Sequence, residues 1–405
     1  MYIFKIGIPA VEHDKFIKEN PLGTLLQSSK WAEVKENWKS EILGVYKENK
    51  LVASSLVLIK PLPLGFTMLY TPRGPVMDFE NRELVSFFLK SLRGYAKRQR
   101  ALFVKMDPVI LYRNFFLGDD QVINGDAARK IALLKSTGAK WQGLTLDMSE
   151  TIQPRFQANV HKESFSEEIL SKKTRQMLRT ARNKGIRVRI AETSELSEFV
   201  RLMNLTEDRK GVKLRSGDNG GYYAKLLDLY GEDAFLMLAE LNLKELLEQS
   251  VTRLKENEEE ISKLKPNQEK KRHNLKEQHT SLLRDVNELE EKVNTLGEVV
   301  NIAGTLSIRF GKTSEILYAG MDDNFKRYMP AYLTWFETIQ ECFRRGANAS
   351  NMGGLDGSLN DGLLKFKKSF HPVIEEFAGE FDLPVNLPLF KLSEWAYKLK
   401  KRKKI

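Results

Sequence analysis

Apolar residues recur in steps of three and four through Leu243, Leu246, Leu247, Val251, Leu254, Ile261 and Leu264. They do so again through Leu282, Val286, Leu289, Val293 and Leu296. This is the spacing of a coiled-coil seam. Between the two runs, Pro266-Asn267 stops a helix and turns the chain. Residues 242–296 are therefore expected to form an antiparallel helical arm. At about 1.5 Å per residue it projects roughly 36–43 Å. Strand-like runs flank it, Ala234 to Leu241 before and Val299 to Phe310 after. The arm is read as an insertion between neighbouring strands of a folded domain.

With the arm set aside, the same order of elements occurs twice. In the first half, Ile42–Tyr46 and Leu51–Ile59 alternate as strands around a Lys47-Glu-Asn-Lys50 hairpin turn. Met68–Tyr70 follows and leads into Thr71-Pro-Arg-Gly-Pro75. A helix is expected from about Glu83 to Gln99, then a strand Ala101–Met106 ended by Asp107-Pro108. In the second half, 234–241 and 299–310 play the hairpin, with the arm in place of its turn. Ile316–Gly320 is the next strand, Pro330–Arg345 the helix, and Asn351 sits near the end of the strand after it. The pattern predicts an α+β unit used twice.

A chain of 405 residues exceeds what one core serves, so two domains are expected. The net charge of +11 points to a polyanionic partner: nucleic acid, anionic lipid or a phosphorylated substrate. Part of that charge is concentrated in Lys172–Arg189, which holds eight basic residues and no acid. Lys172, Arg175, Arg179 and Arg182 fall on one helical face and are read as contacts to tRNA or another phosphate. The single cysteine, Cys342, fits a reducing compartment. The first residues form no signal peptide, and no apolar run approaches the length of a membrane span. A cytoplasmic, peripherally membrane-associated protein is expected. Trp395, Tyr397 and the six basic residues of 398–404 form a candidate patch for anionic lipid.

Familiar catalytic patterns are missing. The five histidines have no metal-ligand spacing. Gly311-Lys-Thr313 lacks the upstream glycine of a phosphate loop, since position 306 is Leu306. No Gly-x-Ser-x-Gly elbow occurs, and Gly353–Gly357 is not a dinucleotide fingerprint. What remains is a transferase that works by positioning.

Several segments then carry a resemblance. They are Gln27-Ser-Ser-Lys-Trp-Ala-Glu-Val-Lys35, Tyr70–Pro75, Phe103–Pro108, Lys173-Thr-Arg-Gln176 with Ala181–Gly185, Tyr318-Ala-Gly320 and Gly362–Lys367. In this order, with the arm between them, the chain resembles the Fem-type aminoacyltransferases, which use aminoacyl-tRNA to build peptidoglycan branches. Met1–Pro9, Thr151–Arg155 and Ala319–Arg327 look most like the streptococcal-type members that attach serine or alanine to lipid II. The resemblance implies two acetyltransferase-like (GNAT-like) domains with the coiled-coil arm inserted in the second. The boundaries it suggests are 1–150 for the first domain, with 376–405 packing back on it, and 151–241 plus 297–375 for the second. It implies seryl- or alanyl-tRNA and lipid II as partners and no cofactor. The expected reaction is attack by the ε-amine of the stem-peptide lysine on the aminoacyl ester, making the first branch residue.

Family positions carry over onto Lys35, Arg215 and Tyr222 as substrate-binding, the first two holding phosphate. Ser216–Gly221 lengthens the link from Arg215, and Tyr223 is nearly as good a match as Tyr222. Phe366 and Lys367 match positions beside the transferred aminoacyl end, with Lys367 facing the developing oxyanion. His371 stands where the family commonly differs. Asp107 is a base, or it only orients the amine. Three other readings compete: transfer of the second branch residue, a nonenzymatic RNA- or membrane-binding scaffold, and a coenzyme A acetyltransferase. The last lacks its pyrophosphate loop.

Overall fold

The structure, a computed structural model, describes residues 1–35, 37–118, 122–211 and 220–402. It begins with β1 (Tyr2–Ile6), α1 (Ala10–Glu19), α2 (Ser29–Val34), β2 (Lys39–Lys47), β3 (Lys50–Pro61), β4 (Thr67–Thr71) and β5 (Val76–Met77). Next come α3 (Arg82–Arg98), β6 (Ala101–Met106), β7 (Leu111–Phe115), β8 (Val122–Ile123), α4 (Gly125–Ser136), β9 (Lys140–Trp141) and β10 (Phe156–His161). They are followed by α5 (Lys172–Asn183), β11 (Arg187–Ile190), α6 (Leu196–Lys210), α7 (Gly221–Tyr230) and β12 (Ala234–Asn242). The arm is α8 (Leu243–Ser262) and α9 (Glu269–Leu296). After it come β13 (Val299–Phe310), β14 (Thr313–Met321), α10 (Pro330–Arg344), β15 (Ala349–Leu355), α11 (Gly362–Lys367), β16 (Val373–Phe377), β17 (Phe381–Pro384) and α12 (Leu387–Arg402).

Local chemistry sets these elements. Glu48 and Asn49 both take positive φ, the two-residue turn that matches strand twist in the β2–β3 hairpin. Asn81 caps α3 by accepting from Leu84 N–H, and the helix buries Leu84, Val85, Phe88, Leu92 and Tyr95. Asn242 caps α8 in the same way.

Two sheets result. The first runs β1-β2-β3-β4-β6-β17-β9, with β5 beside β3; the second runs β11-β12-β13-β14-β15-β10-β16-β7-β8. Each contains three antiparallel strands, a helix, and a strand parallel to the third: β4 with β6 across α3, and β14 with β15 across α10. The strands β7 and β8, early in the chain, join the second sheet, and β17, late in the chain, joins the first.

The parallel pairs differ in a way that matters. β4 and β6 stay paired from Thr67 to Thr71. β14 and β15 pair only over Thr313–Glu315 with Ala349–Asn351, then part. The second sheet therefore opens into a groove whose vertex is Glu315 opposite Asn351.

One apolar core lies inside each sheet–helix layer. A third is shared between the two halves. It joins Leu56, Leu58 and Tyr70 of the first sheet to Leu306 and Ile308 of the second through Trp31, Phe199, Tyr223 and Leu226. A side chain at Gly320 would come within 2.8 Å of the backbone of Leu202, so α6 lies directly on β14.

The arm projects from the β12–β13 connection, where Leu243 N–H bonds the Glu298 carbonyl. Its first helix ends at Ser262, short of Leu264 in the expected seam. Asn351 lies within β15 rather than near its end. The basic helix closes at Asn183, which leaves Arg187 and Arg189 on a strand, where Arg189 bonds Glu195 and Glu240.

Candidate active site

The site assembles where the two halves face each other. Ser28 caps α2, and Lys35 ends it, with its ammonium 5.3 Å from the Trp31 ring centroid. Gln27 is fully buried and holds the loop that follows β4. Its amide donates to Pro72 O at 2.7 Å and accepts from Leu56 N–H at 2.9 Å. A side chain at Gly74 would strike that amide at 2.6 Å. These contacts give the Gln27 and Thr71–Pro75 segments a shared physical role.

The loop presents Arg73. Its backbone N–H donates to Asp107 Oδ1 at 2.6 Å, and Tyr70 O–H donates to Asp107 Oδ2 at 3.0 Å. The Arg73 guanidinium donates to Pro154 O at 2.6 Å and lies 4.9 Å from the Phe377 ring. Burial pushes the Asp107 carboxyl up to about 7, against the pull of Arg73. Glu315 is pushed up to about 7 for the same reason, with Arg73 again opposing. Glu375 is raised by burial and opposed by His161, Asn159 and Arg73.

From the second half, α7 brings Tyr222 and Tyr223. Tyr223 is fully buried, with its ring 5.1 Å from Tyr318 and 5.3 Å from Phe199. Tyr222 stands at the edge of this cluster, where its hydroxyl accepts from Tyr318 O–H at 3.2 Å. Arg215 lies outside the described residues.

Phe366 and Lys367 sit across the groove. Phe366 packs among Tyr332, Trp335 and Phe370, with ring centroids 5.1–5.4 Å apart. Lys367 is 3% exposed, and its ammonium donates to Gly354 O at 2.8 Å. A side chain at Gly354 would meet Pro154 at 2.3 Å. Pro154 thus touches both the carbonyl-bound Arg73 and the strand that holds Lys367. His371 takes positive φ and stacks on Phe116 at 4.6 Å, which gives it a place in packing.

The carried-over residues therefore fall into three groups. Lys35, Asp107 and Tyr222 line the cleft between the halves. Phe366 and Lys367 occupy the α10 side of the groove. Lys172, Arg175 and Arg179 are exposed on α5, which packs against α10. Arg182 differs from these three: it forms two 2.8 Å bonds to Glu167. A separate cavity of about 790 Å³ lies elsewhere, lined by Ile190, Leu227, Arg309 and Arg345. Both its arginines are paired, with Asp233 and Glu341.

Sequence reading did not single out Arg73, Gln27 or Glu315. The available signal for Glu315 was a lone acid within the otherwise apolar-rich run Thr313–Met321.

A twice-used sheet with a parallel strand pair that parts, and cations and carboxylates gathered there, defines an acyltransferase with two GNAT-like domains. The whole chain has a counterpart in a crystal structure of FemX. That match has a TM-score of 0.76 and 26% identity, and covers 97% of this chain and 99% of the other. The chain belongs to the FemAB family, whose model matches residues 8–398. It is an aminoacyl-tRNA-dependent acyltransferase of peptidoglycan synthesis.

Among its relatives, the lipid II:glycine glycyltransferase of Staphylococcus aureus strain MRSA252 is 30% identical over 96% of this chain and 95% of its own. The protein of the same name from strain bovine RF122 / ET3-1 is 29% identical over the same shares. These relatives correct the expectation of serine or alanine, and with it the expectation of seryl- or alanyl-tRNA as partner and the streptococcal-type affiliation. The segments that carried that closer match include Thr151–Arg155. In the fold this stretch bonds Arg73 through Pro154 O and Glu376 through Arg155.

Proposed function

We propose that the chain moves glycine from glycyl-tRNA to the ε-amine of the stem-peptide lysine of lipid II. The observation that carries this is end-to-end similarity to lipid II:glycine glycyltransferases. The geometry supports it. The cleft side offers Lys35 and Tyr222 to the acceptor. The α10 side offers Phe366 and Lys367 to the aminoacyl end. The two sides meet where β14 and β15 part. The amine needs only a proton acceptor and a held ester, since the ester is already activated; proximity and oxyanion stabilisation supply the rest. Lys172, Arg175 and Arg179 are the proposed contacts to tRNA phosphate. The domain limits set by the sequence remain our reading, with Leu111–Phe115 and Val122–Ile123 lending strands to the second sheet.

The purified chain should label lipid II with radioactive glycine from glycyl-tRNA. It should do so at least tenfold faster than with serine or alanine from their tRNAs, the scale on which one small side-chain group is told from another. Equal transfer from all three, or serine transfer without glycine, overturns the assignment.

No helix among the described residues is long and apolar enough to cross a membrane. The acceptor carries a lipid, and α12 exposes Leu387, Leu392 and Trp395, the last by 61%. We propose that this face meets anionic lipid; the side chains of Tyr397 and of the basic 398–404 stretch lie outside the described ones. Cosedimentation with phosphatidylglycerol vesicles should drop severalfold in a Leu392→Glu/Trp395→Glu variant. Unchanged sedimentation removes the assignment.

A further inference from the structure

Burial makes two carboxylates in the cleft weaker acids than usual, and the two are bonded differently. Asp107 is 1% exposed, and both its oxygens are occupied, by Arg73 N–H and Tyr70 O–H. Each oxygen is thus already committed to holding the loop that carries Arg73 or the Tyr70 hydroxyl. Glu315 is half-buried, and its carboxylate makes no hydrogen bond or ion pair to any described residue.

Its position follows from register. Glu315 is the last residue of β14 paired to β15, so it stands at the vertex of the groove. It pairs with Ile308, and Tyr318 pairs with Leu306, which places both on the face that meets the first half of the chain. The same face continues across the sheet through Asn351, Asn159, Gln157 and Glu375. The groups around it are Arg73 from the loop after β4, Tyr222 and Tyr230 from α7, Tyr318 on its own strand and Asn351 on β15. Asp107 and Glu375 lie beyond Arg73, and the same guanidinium acts on all three carboxylates. Fully ionised, these three carboxylates outnumber the guanidinium that acts on them, and a primary ammonium complements the difference.

We propose that Glu315 receives the acceptor's ε-ammonium at the vertex of the groove and takes its proton before the amine attacks the ester. This rests on the acyl-transfer reading above. The ammonium gives one proton to the Glu315 carboxylate, leaving a neutral amine and a carboxylic acid. The amine lone pair forms the C–N bond, and the ester C–O bond breaks. The second proton leaves the nitrogen for the departing ribose oxygen. The products are the amide, uncharged tRNA and a protonated Glu315 that returns its proton to water. An ordinary lysine amine has a pKa of about 10.4, and a carboxylate of ordinary acidity is a poor match for it. A carboxylate whose burial raises its basicity is a better one.

The test has two arms. In single-turnover transfer from preformed glycyl-tRNA, the wild-type rate should rise with pH through about 7 and then level. Glu315→Gln should lower the plateau about 100-fold and lose that rise. Glu315→Asp should keep the rise at a lower rate, and Asp107→Asn should keep it too. The second arm uses no donor. Wild type should bind a lysine-containing stem pentapeptide about tenfold more tightly than its Nε-acetyl form, and Glu315→Gln should bind the two alike. If Glu315→Gln retains both the pH rise and the preference for the free amine, the proposal is overturned. It is overturned as well if Asp107→Asn, and not Glu315→Gln, abolishes the rise. If no glycine is transferred but Glu315→Gln erases the amine preference, the glycine reading fails and the role of Glu315 stands.

Discussion

Lys367→Met should slow amide formation by about 10²–10³, the cost of losing one oxyanion donor, with tRNA and lipid II affinities changing far less. Lys367 is 3% exposed, and its ammonium is held against β15 by a hydrogen bond to Gly354 O at 2.8 Å. That bond orients the ammonium on the wall of the groove. The carbonyl against which it is braced belongs to β15, one wall of the groove. An oxyanion forming there gains more from a fixed cation than the neutral ester does, so the loss falls on the rate rather than on binding. Methionine keeps most of the volume and removes the charge. The measurement is single-turnover transfer from preformed glycyl-tRNA at saturating lipid II, with folding checked by circular dichroism. Wild-type transfer combined with weak tRNA binding would assign the lysine to the nucleotide end.

The second large effect is on stability. Arg155→Met should cost about 3–5 kcal/mol, because it leaves a buried carboxylate without its partner. Arg155 and Glu376 are each 2% exposed and are ion-paired. The same guanidinium donates to Phe377 O at 3.0 Å and to Thr145 O at 2.7 Å. Arg113 also bonds Glu376, but through the other carboxylate oxygen and from a quarter-exposed position. A lower urea midpoint with an unchanged slope is the expected readout. Adding Glu376→Leu should recover much of the loss, since no charge then stays stranded. If Arg155→Met loses under about 1 kcal/mol, a typical single hydrogen bond, Arg113 alone satisfies the carboxylate.

How much of this the sequence shows depends on how local the determining physics is. The β2–β3 hairpin, α3, β6 and β13 were legible because period, turn and cap all lie within a few residues of one another. The arm was legible from its seam, though Pro266 could not reveal that α8 frays before Leu264. The sheet assignment of Leu111–Phe115 was not legible: its partner, Val373–Phe377, is far along the chain, and two short strands carry no address. At the site, a resemblance could point to Lys35, Tyr222, Phe366 and Lys367. It could not show that Asp107 has both oxygens occupied, or that Arg182 is paired with Glu167 while its helical neighbours are exposed. Bonding of that kind is fixed by packing between distant segments.

The exchange of strands also sets an order of assembly. In the first sheet, β6 has β17 as its outer neighbour, and β9 pairs with nothing else in that sheet. During synthesis, an otherwise complete N-terminal sheet keeps β6 as an unpaired edge while the entire second sheet and the arm are made. Only when Phe381–Pro384 is available is that edge covered. Exposed edges are templates for wrong pairing, and contacts this distant in sequence form slowly. The nascent chain is therefore most exposed to wrong pairing until Phe381–Pro384 has been made. A chain cut before Phe381 would keep an N-terminal half that looks whole in sequence but has an open edge.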